Sequence, residues 1–348
     1  MTDFLRDTLK ELDNEYASVA SEGVSVGDIT GYISTNSYIL NGLVSGSIYR
    51  GIPEGKITAL AGEESVGKTF ILLEIMKTFL DQNKDGVVFA FESESALSKE
   101  MLIERGIDIK RIAIIPVVTV QEFRNQSLKV IEGYKNLPES KRNKILITLD
   151  SMGMLSTIKE VTDVQDGKEI KDMTRAQVLK GAFRLITLAI GKTNIPMVLT
   201  NHTYKTMGLF ATKEFAGGSG CKYAASTILY LSKKKVKDGT DVIGNIIHCK
   251  LVKSRISRQD AQADIYLSYQ TGIDSYYGLI DLGFSSGLFQ KVGHSIVFPD
   301  GTKVLNKKVR ENPKDYFTKD VLKTLDKVAK ELYSYGSALP KPKEEKTK

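Results

Sequence analysis

Apolar and polar positions alternate in blocks through the middle of this 348-residue chain. Five apolar, β-favouring runs follow one another from Gly55 onwards: KITALAG, VVFAFE, IKRIAIIPVV, KILITLD and IPMVLTNH. Segments with helical spacing separate them, such as TFILLEIMKTFLDQ and MTRAQVLKGAFRLITLAIG. Strands that alternate with helices predict an α/β fold with a mostly parallel sheet covered on both faces.

The pattern changes towards the N-terminus. A separate helix is predicted over residues 3–20, because Phe4, Leu5, Leu9 and Leu12 recur at helical spacing between charges. Its apolar stripe could pack on its own domain or on a neighbouring subunit. Residues 21–46 are rich in Gly and Ser and predict a linker that leads into short strands or turns.

The pattern of apolar and polar positions changes again after Tyr223. The runs STILYLSKKK, IIHCKLVKSR and QADIYLSYQ predict an antiparallel extension of the sheet. The last segment is small and charged, with TKDVLKTLDKVAKELYSYG as its predicted helix. The final residues, PKPKEEKTK, predict a solvated tail with a net positive charge.

Composition narrows the class of protein. A hydrophobic fraction of 41% and a charged fraction of 26% are ordinary for a globular chain and exclude a wholly disordered or fibrous protein. No apolar run approaches the roughly 18 residues of a membrane span, and the polar N-terminus predicts no secretory signal. Cys221 and Cys249 are too few for a disulfide framework or a cysteine-only zinc site, which favours a reducing, cytoplasmic location. The net charge of +7 permits an anionic partner.

A phosphate-binding motif joins the first apolar run to the first long helical segment. GEESVGKT fits G-x-x-x-x-G-K-[ST] without a mismatch, and it lies between a predicted strand and helix as the motif requires. Its backbone N–H groups can surround a phosphate, Lys68 can reach the β- and γ-phosphates, and the Thr69 hydroxyl can hold Mg²⁺. The predicted nucleotide-binding residues of this segment are Gly62, Glu63, Glu64, Ser65, Val66, Gly67, Lys68, Thr69 and Phe70.

Two carboxylates are candidates for the remaining chemistry. Asp150 ends the apolar run KILITLD, where a strand-end carboxylate can act as the second anchor of Mg²⁺. Hydrolysis also needs a group that orients the attacking water. VVFAF ends in Glu92-Ser93-Glu94, and periodicity does not choose between Glu92 and Glu94.

These segments together resemble the RecA-type recombinase family, most closely its T4-type bacteriophage branch. GIPEGKITALAGEESVGKT, FAFESESAL, ILITLDSMGML and TGIDSYYGLIDLG are similar to segments of its ATPase core, and the likeness runs from about Ile33 to Gly283. The resemblance implies a RecA-like P-loop ATPase core with a mostly parallel central sheet, an N-terminal oligomerisation helix and a small C-terminal α+β segment. It divides the chain into residues 1–29, 30–284 and 285–348.

The resemblance also implies an activity and partners. Family members form ATP-dependent helical filaments on single-stranded DNA and exchange strands with homologous duplex DNA, in recombination and DNA repair. The implied cofactors are ATP and Mg²⁺. The implied partners are both forms of DNA, further copies of the chain, a loader or mediator protein and a single-stranded-DNA-binding protein, in the bacterial host cytoplasm if the gene is a phage gene.

Residue roles carry over by position. The resemblance places the catalytic carboxylate at Glu94, a γ-phosphate sensor at His202, and the adenine contact at Met101, where the family commonly has an aromatic residue. An imidazole can donate to a phosphate as an amide can, and it can also titrate. Lys253 and Arg255 match a pair of cations that act across the subunit interface on the neighbour's ATP.

DNA contacts are expected in two loops. The first follows Asp150 and ends at Arg175, and the second spans roughly residues 203–222. Lysines can neutralise phosphates, and an apolar loop tip can enter between bases. The predicted DNA-binding residues are Arg175, Lys205, Met207, Phe210, Lys213, Gly217, Gly218, Ser219 and Gly220.

Two alternative functions share this core. A hexameric DNA helicase would have the same motifs, but helicases usually carry a sizeable helical domain before the core, and only about 30 residues precede it here. A non-catalytic recombinase paralogue is disfavoured by the intact Lys68, Thr69, Glu94 and Asp150. DNA-stimulated ATP hydrolysis distinguishes the paralogue from the recombinase.

Overall fold

A computed structural model of the protein describes residues 2–168, 173–205, 213–215 and 220–335. Its α-helices are α1 (Thr2–Glu11), α2 (Tyr38–Ser45), α3 (Lys68–Gln82), α4 (Lys99–Glu104), α5 (Val120–Lys135), α6 (Ile158–Gln165), α7 (Arg175–Thr193), α8 (Gly220–Ala224), α9 (Leu279–Ser285), α10 (Asn306–Glu311), α11 (Pro313–Tyr316) and α12 (Lys319–Tyr333). Its strands are β1 (Tyr32–Ile33), β2 (Ile52–Pro53), β3 (Ile57–Gly62), β4 (Val87–Glu92), β5 (Ile112–Pro116), β6 (Ile145–Asp150), β7 (Met197–Lys205), β8 (Lys213–Phe215), β9 (Thr227–Asp238), β10 (Asp241–Ser254), β11 (Gln262–Ser268), β12 (Gly272–Ile273), β13 (Gln290–Val292), β14 (Ser295–Val297) and β15 (Lys303–Leu305).

The chain divides into two compact units. The first comprises Met1–Ile33 and Pro53–Ile228, and the second comprises Ser34–Ile52 and Leu229–Lys348. The three-part division inferred from the sequence, with boundaries at 29/30 and 284/285, stays a prediction.

A parallel sheet forms the centre of the first unit. Its strands lie in the order β5-β4-β6-β7-β3, and every neighbouring pair is parallel. Every residue of β3 and β6 is buried, so both faces of these strands are covered. The parallel sheet predicted from alternating strands and helices is confirmed.

Aromatic packing joins the helices of this unit to its sheet. Phe91 of β4, Phe123 of α5 and Phe183 of α7 are fully buried, with ring centroids 5.2 Å and 6.1 Å apart along the row. Offset and edge-on pairs at such distances stabilise a core beyond the area they bury. The row holds α5 and α7 in fixed positions against the strand that ends beside the candidate site.

The N-terminal helix is shorter than predicted. The apolar spacing predicted a helix over residues 3–20, but α1 ends at Glu11. Asp13 has a φ of 43°, a left-handed conformation that a continuing α-helix does not contain. Phe4 and Leu5 remain exposed on this helix, and Leu12, just beyond its end, is exposed as well.

In the second unit, the segment predicted as a linker with strands or turns contains a buried helix. Ser37 caps the start of α2 by accepting from the N–H of Leu40, and Gly46 ends it with a φ of 81°. Residues 39–45 are all buried. Because α2 is covered on every side, its sequence lacks the polar face by which amphipathic helices are recognised.

The strands of the second unit confirm the predicted antiparallel extension. β9, β10, β11 and β12 are successive neighbours, and β10–β11 and β11–β12 are antiparallel. A separate antiparallel sheet, β13-β14-β15, precedes the helices α10 to α12. None of the described helices is long and apolar enough to cross a membrane.

Candidate active site

The phosphate loop connects β3 to α3 at the carboxyl edge of the parallel sheet. Gly67 has a φ of 104° at the start of α3, a conformation that glycine adopts without strain. The buried Lys68 Nζ donates to the carbonyl oxygens of Gly62 at 3.2 Å and Glu63 at 2.9 Å. The loop therefore curls around the ammonium group at the N-terminus of a helix, which is a favourable place for an anion.

Thr69 and Asp150 meet at this edge although 81 positions separate them in the sequence. The Thr69 hydroxyl donates to Asp150 Oδ2 at 2.7 Å. Asp150 ends β6 and is only 2% exposed, and its Oδ1 accepts from the hydroxyl of Thr200 on the neighbouring strand β7. Thr200 therefore fixes the orientation of the carboxylate. Its role was not predicted from the sequence.

Glu94 forms the second polar cluster of the edge. Its Oε1 lies 2.7 Å from His202 Nε2 and also accepts from the Ser151 hydroxyl. Ser151 follows Asp150 and His202 lies two residues after Thr200, so both clusters are built from the ends of the same strands. The role of Ser151 was not predicted from the sequence, and its only signal there is its position next to a strand-end carboxylate.

Glu92 lies close by but has a different environment. It is 6% exposed, and its Oε1 accepts from the backbone N–H groups of Glu94 and Ala96, each at 3.2 Å. This carboxylate therefore holds the turn that follows β4. The side chain at position 94, by contrast, faces other ionisable groups.

Electrostatics link Lys68 to the carboxylates. Burial lowers the pKa of Lys68, and the nearby negative charges of Glu94, Asp150 and Glu64 offset part of that effect. Burial raises the pKa of Glu94, but the hydrogen bonds from Ser151 and His202, together with the charges of His202 and Lys68, outweigh it and leave this pKa below 4.5. Glu94 is therefore an ionised acceptor at neutral pH.

The donor set of this edge fits a nucleotide phosphate chain with Mg²⁺. Mg²⁺ usually takes one or two oxygen ligands from the protein and the rest from phosphates and water. Thr69 and Asp150 supply adjacent hard oxygen atoms at the mouth of the phosphate loop. The described residues contain no cluster of three or more His, Cys, Asp or Glu that could hold a metal alone.

The predicted adenine contact, Met101, lies in α4. Its backbone N–H donates to the capping hydroxyl of Ser98, and its carbonyl oxygen accepts from Arg105 Nη1 at 3.2 Å. Arg105 also lies over the ring of Phe70, which immediately follows Thr69. Arg105 was not predicted from the sequence.

Lys253 and Arg255 belong to the second unit. Lys253 is half-buried near the end of β10, and Arg255 is exposed just beyond it. Their role towards a neighbour's ATP stays a prediction.

The predicted DNA-binding residues fall in three groups. Arg175 begins α7, and its guanidinium donates to the backbone carbonyl oxygens of Gly153 and Leu155, which ties α7 to the segment after β6. Lys205 ends β7 opposite Lys213 of β8, and Gly220 begins α8. The residues that lie outside the described part of the chain are Met207, Phe210, Gly217, Gly218 and Ser219.

Comparisons with known proteins agree with the site. The chain is 29% identical over 259 residues to the protein named Recombination and repair protein of Enterobacteria phage T4, which covers 74% of this chain and 65% of that protein. It is 27% identical over 246 residues to Protein RecA of Paracoccus denitrificans, which covers 70% of this chain and 66% of the relative. For Protein RecA of Streptomyces coelicolor the identity is 28%, with coverage of 70% and 63%. The chain thus spans just under two thirds of the length of these relatives.

A family match covers most of the chain. Residues 4–274 match the family described as RecA N-terminal domain. This span contains the phosphate loop, Asp150, Glu94 and His202, and it confirms the family resemblance and the RecA-like core inferred from the sequence. The chain belongs to the RecA N-terminal domain family.

Proposed function

We propose that this protein is an ATP-dependent DNA recombinase, which forms a filament on single-stranded DNA and catalyses homologous pairing and strand exchange. Two findings support the proposal: the family match, since RecA family proteins are DNA-dependent ATPases, and the similarity to a recombination and repair protein of phage T4. A loader protein and a single-stranded-DNA-binding protein stay predicted partners.

The observation that carries the proposal is the meeting of two polar clusters at one edge of the sheet. One cluster, Thr69 with Asp150, is suited to Mg²⁺, and the other, Glu94 with His202, is suited to water and the γ-phosphate. Lys68 lies in the phosphate loop, and its positive charge helps to lower the pKa of Glu94.

Each residue has a distinct part in the proposed hydrolysis. The Lys68 ammonium would exchange its loop carbonyl partners for phosphate oxygens. Thr69 and Asp150 would hold Mg²⁺, and the metal would supply positive charge that neutralises the phosphates. The ionised Glu94 orients the attacking water and accepts its proton. The His202 imidazole bonds Glu94 in this structure, and we propose that it donates to the γ-phosphate when ATP binds.

DNA binding and cooperation between subunits involve other residues. Lys253 and Arg255 of a neighbouring copy would stabilise the charge that develops on the transferred phosphate. Arg175 would contact DNA through those guanidinium N–H groups that do not donate to backbone carbonyl oxygens. The second loop would bind DNA through Lys205, Lys213 and its glycines. His202 lies on β7, and the same strand continues into the residues that pair with β8 inside the second loop. This continuity gives a physical route by which nucleotide state affects DNA binding.

The first experiment measures ATP hydrolysis by the full chain with and without single-stranded DNA, at two salt concentrations. We expect strong stimulation that falls with salt, because each phosphate contact releases counterions. Glu94→Gln should lower the stimulated rate by about 100-fold or more, since a general base contributes on the order of 10²–10⁴. The matched control is Glu100→Gln on the exposed side of α4, which should retain the wild-type rate.

Three outcomes separate this function from the others. Hydrolysis that does not respond to DNA would contradict a recombinase, and DNA binding without any hydrolysis would favour the non-catalytic paralogue. A helicase could also show stimulation, so a strand-exchange assay with homologous and heterologous duplexes follows. Product with the homologous duplex alone supports the recombinase, and unwinding of both duplexes contradicts it.

A further inference from the structure

Asp150 has a hydrogen-bond partner that takes no direct part in the proposed hydrolysis. Thr200 lies beside it on the neighbouring strand, one position beyond the paired residues Leu149 and Leu199 in the parallel register of β6 and β7. The Thr200 hydroxyl donates to Asp150 Oδ1. Thr200 is fully buried and Asp150 is only 2% exposed. Because both side chains are shielded from water, solvent hardly competes for this bond.

The two oxygens of the Asp150 carboxylate therefore face different groups. Oδ2 accepts from the Thr69 hydroxyl at 2.7 Å, at the mouth of the phosphate loop where the metal is expected. Oδ1 is turned towards β7 and is occupied by the Thr200 hydroxyl. The carboxylate can thus offer one oxygen to a cation at the loop, while the protein retains the other.

The bond from Thr200 also restricts rotation of the carboxylate. Threonine is β-branched and has few allowed χ1 rotamers, and close packing around a fully buried side chain restricts it further. A hydrogen bond to an ionised carboxylate is stronger than one between neutral groups. Asp150 therefore presents Oδ2 from a nearly fixed position.

The number and the rigidity of the oxygen ligands are the properties by which a site distinguishes Mg²⁺ from Ca²⁺. Ca²⁺ accepts about six to eight oxygens in a flexible geometry and can take both oxygens of one carboxylate. Mg²⁺ is smaller, requires a nearly ideal octahedron and binds few protein oxygens alongside phosphates and water. A carboxylate that offers one oxygen from a fixed position suits Mg²⁺ better than Ca²⁺.

We propose that Thr200 determines the metal specificity of the nucleotide site, because it withholds Oδ1 of Asp150 and lets this carboxylate bind a cation through one oxygen only. Thr200 acts on the metal through Asp150 and is therefore a positioning residue. Removing a partner of this kind commonly changes metal affinity by about 10–100-fold. The inference rests on the proposed function, because it requires a metal–nucleotide complex in the phosphate loop.

Isothermal titration calorimetry of the full chain with ADP tests this inference without catalysis. ADP is titrated in excess Mg²⁺, in excess Ca²⁺ and in EDTA, and the ratio of the affinities with and without metal measures the contribution of each cation. In the wild type, Mg²⁺ should strengthen ADP binding more than Ca²⁺ does. Thr200→Val keeps the shape of the side chain without the hydroxyl and should reduce the contribution of Mg²⁺ by about tenfold. The contribution of Ca²⁺ should fall by less than about threefold, because a released carboxylate can offer both oxygens to Ca²⁺.

Matched threonine variants are the controls. Thr200→Ser keeps the hydroxyl and should retain the preference for Mg²⁺. Thr58→Val makes the same chemical change at another fully buried threonine, on the adjacent strand β3, whose hydroxyl has no hydrogen-bond partner among the described residues. It should leave all three ADP affinities unchanged. Thermal unfolding shows whether each variant folds, and Thr200→Ala, which also lacks the hydroxyl, replaces Thr200→Val if that variant does not.

The outcomes separate this inference from the function on which it rests. An unchanged preference for Mg²⁺ without the Thr200 hydroxyl, or equal losses of the Mg²⁺ and Ca²⁺ contributions, would overturn the role of Thr200. Weaker ADP binding in EDTA would also overturn it, because the effect would not act through the metal, and so would a wild type that prefers Ca²⁺. If the wild type binds ADP no better with Mg²⁺ than in EDTA, the metal site at Thr69 and Asp150 fails, and this inference fails with it.

Discussion

At the scale of single residues, the pair formed by Glu94 and His202 connects the proposed chemistry to the strand that leads into the second loop. The two side chains are 2.7 Å apart, and each is partly exposed to the site. Because the pKa of Glu94 lies below 4.5, this carboxylate remains ionised through the neutral range. Above that value the ionised Glu94 accepts the hydrogen bonds from Ser151 and His202, and these bonds contribute fully to the stability of the fold. As the pH falls through the pKa of Glu94, protonation weakens the bonds, and stability and activity should both decrease.

Substitutions at His202 test the hydrogen bond that it makes with Glu94. His202→Gln keeps a donor near Glu94, and we expect it to retain DNA-stimulated hydrolysis within about tenfold, whereas His202→Ala should lower it by about 100-fold. The measurement is the DNA-stimulated rate of each variant at neutral pH. Identical rates for the wild type and His202→Ala would exclude a role for this side chain.

At the scale of secondary-structure elements, a buried carboxylate joins α12 to the loop that follows α2 within the second unit. Asp326 Oδ1 accepts from the Ser47 hydroxyl at 2.6 Å and from the Ile48 N–H at 2.9 Å, and its Oδ2 pairs with Lys330 at 2.6 Å. Asp326 is only 6% exposed. The two bonds to Oδ1 join α12 to the loop that follows α2, and Ile48 is 278 positions away from Asp326 in the sequence.

Removing this carboxylate should destabilise the second unit. Asp326→Ala leaves two buried donors without an acceptor, and each such donor costs about 1–3 kcal/mol, so we expect a loss of about 2–6 kcal/mol. The midpoint of urea unfolding measures it. Asp320→Ala, in the exposed first turn of the same helix, is the control and should cost no more than about 1 kcal/mol. Equal shifts for the two variants would show that the contacts of Asp326 contribute little.

The elements that the sequence predicted well are those whose pattern is local. The buried strands and the phosphate loop were predicted because a run of apolar residues or a fixed spacing of Gly, Lys and Thr specifies them without knowledge of the partners. The helix α2 was missed because it is apolar on every side, and the end of α1 was misplaced because the apolar spacing continues past Asp13. Local patterns therefore give the type of an element more reliably than its limits.

In the candidate site, too, local patterns were predicted from the sequence and contacts between distant residues were not. Residues alone did not choose between Glu92 and Glu94, since both follow the same strand. The difference lies in the turn, where Glu92 bonds backbone N–H groups and Glu94 reaches His202, 108 positions further along the chain. Thr200 and Ser151 were missed for the same reason, because each acquires its role from a contact that only folding creates.

At the scale of the whole molecule, the exposed apolar face of α1 is a candidate surface for assembly. Phe4 is 72% exposed and Leu5 48%, and Leu12, which directly follows α1, is 58% exposed. Apolar side chains clustered on an exposed helix favour contact with a partner surface. In the proposed filament that partner is the core of the next subunit, and contacts of this head-to-tail kind produce open helical assemblies.

Weakening this face should therefore impair assembly while leaving the nucleotide site intact. The double substitution Phe4→Ser with Leu5→Ser removes most of the exposed apolar area of α1, and we expect it to abolish filaments on single-stranded DNA in the presence of a non-hydrolysable ATP analogue. Sedimentation velocity measures the loss, and unchanged ADP affinity shows that the phosphate loop is unaffected. Asp7→Ser, a polar change on the same helix, is the control.

Because the proposed cations Lys253 and Arg255 act from a neighbouring copy, the double variant should also lose DNA-stimulated hydrolysis in proportion to its loss of filaments. Full hydrolysis without filaments would contradict the role of the neighbour's cations, and intact filaments would show that α1 is not an assembly surface.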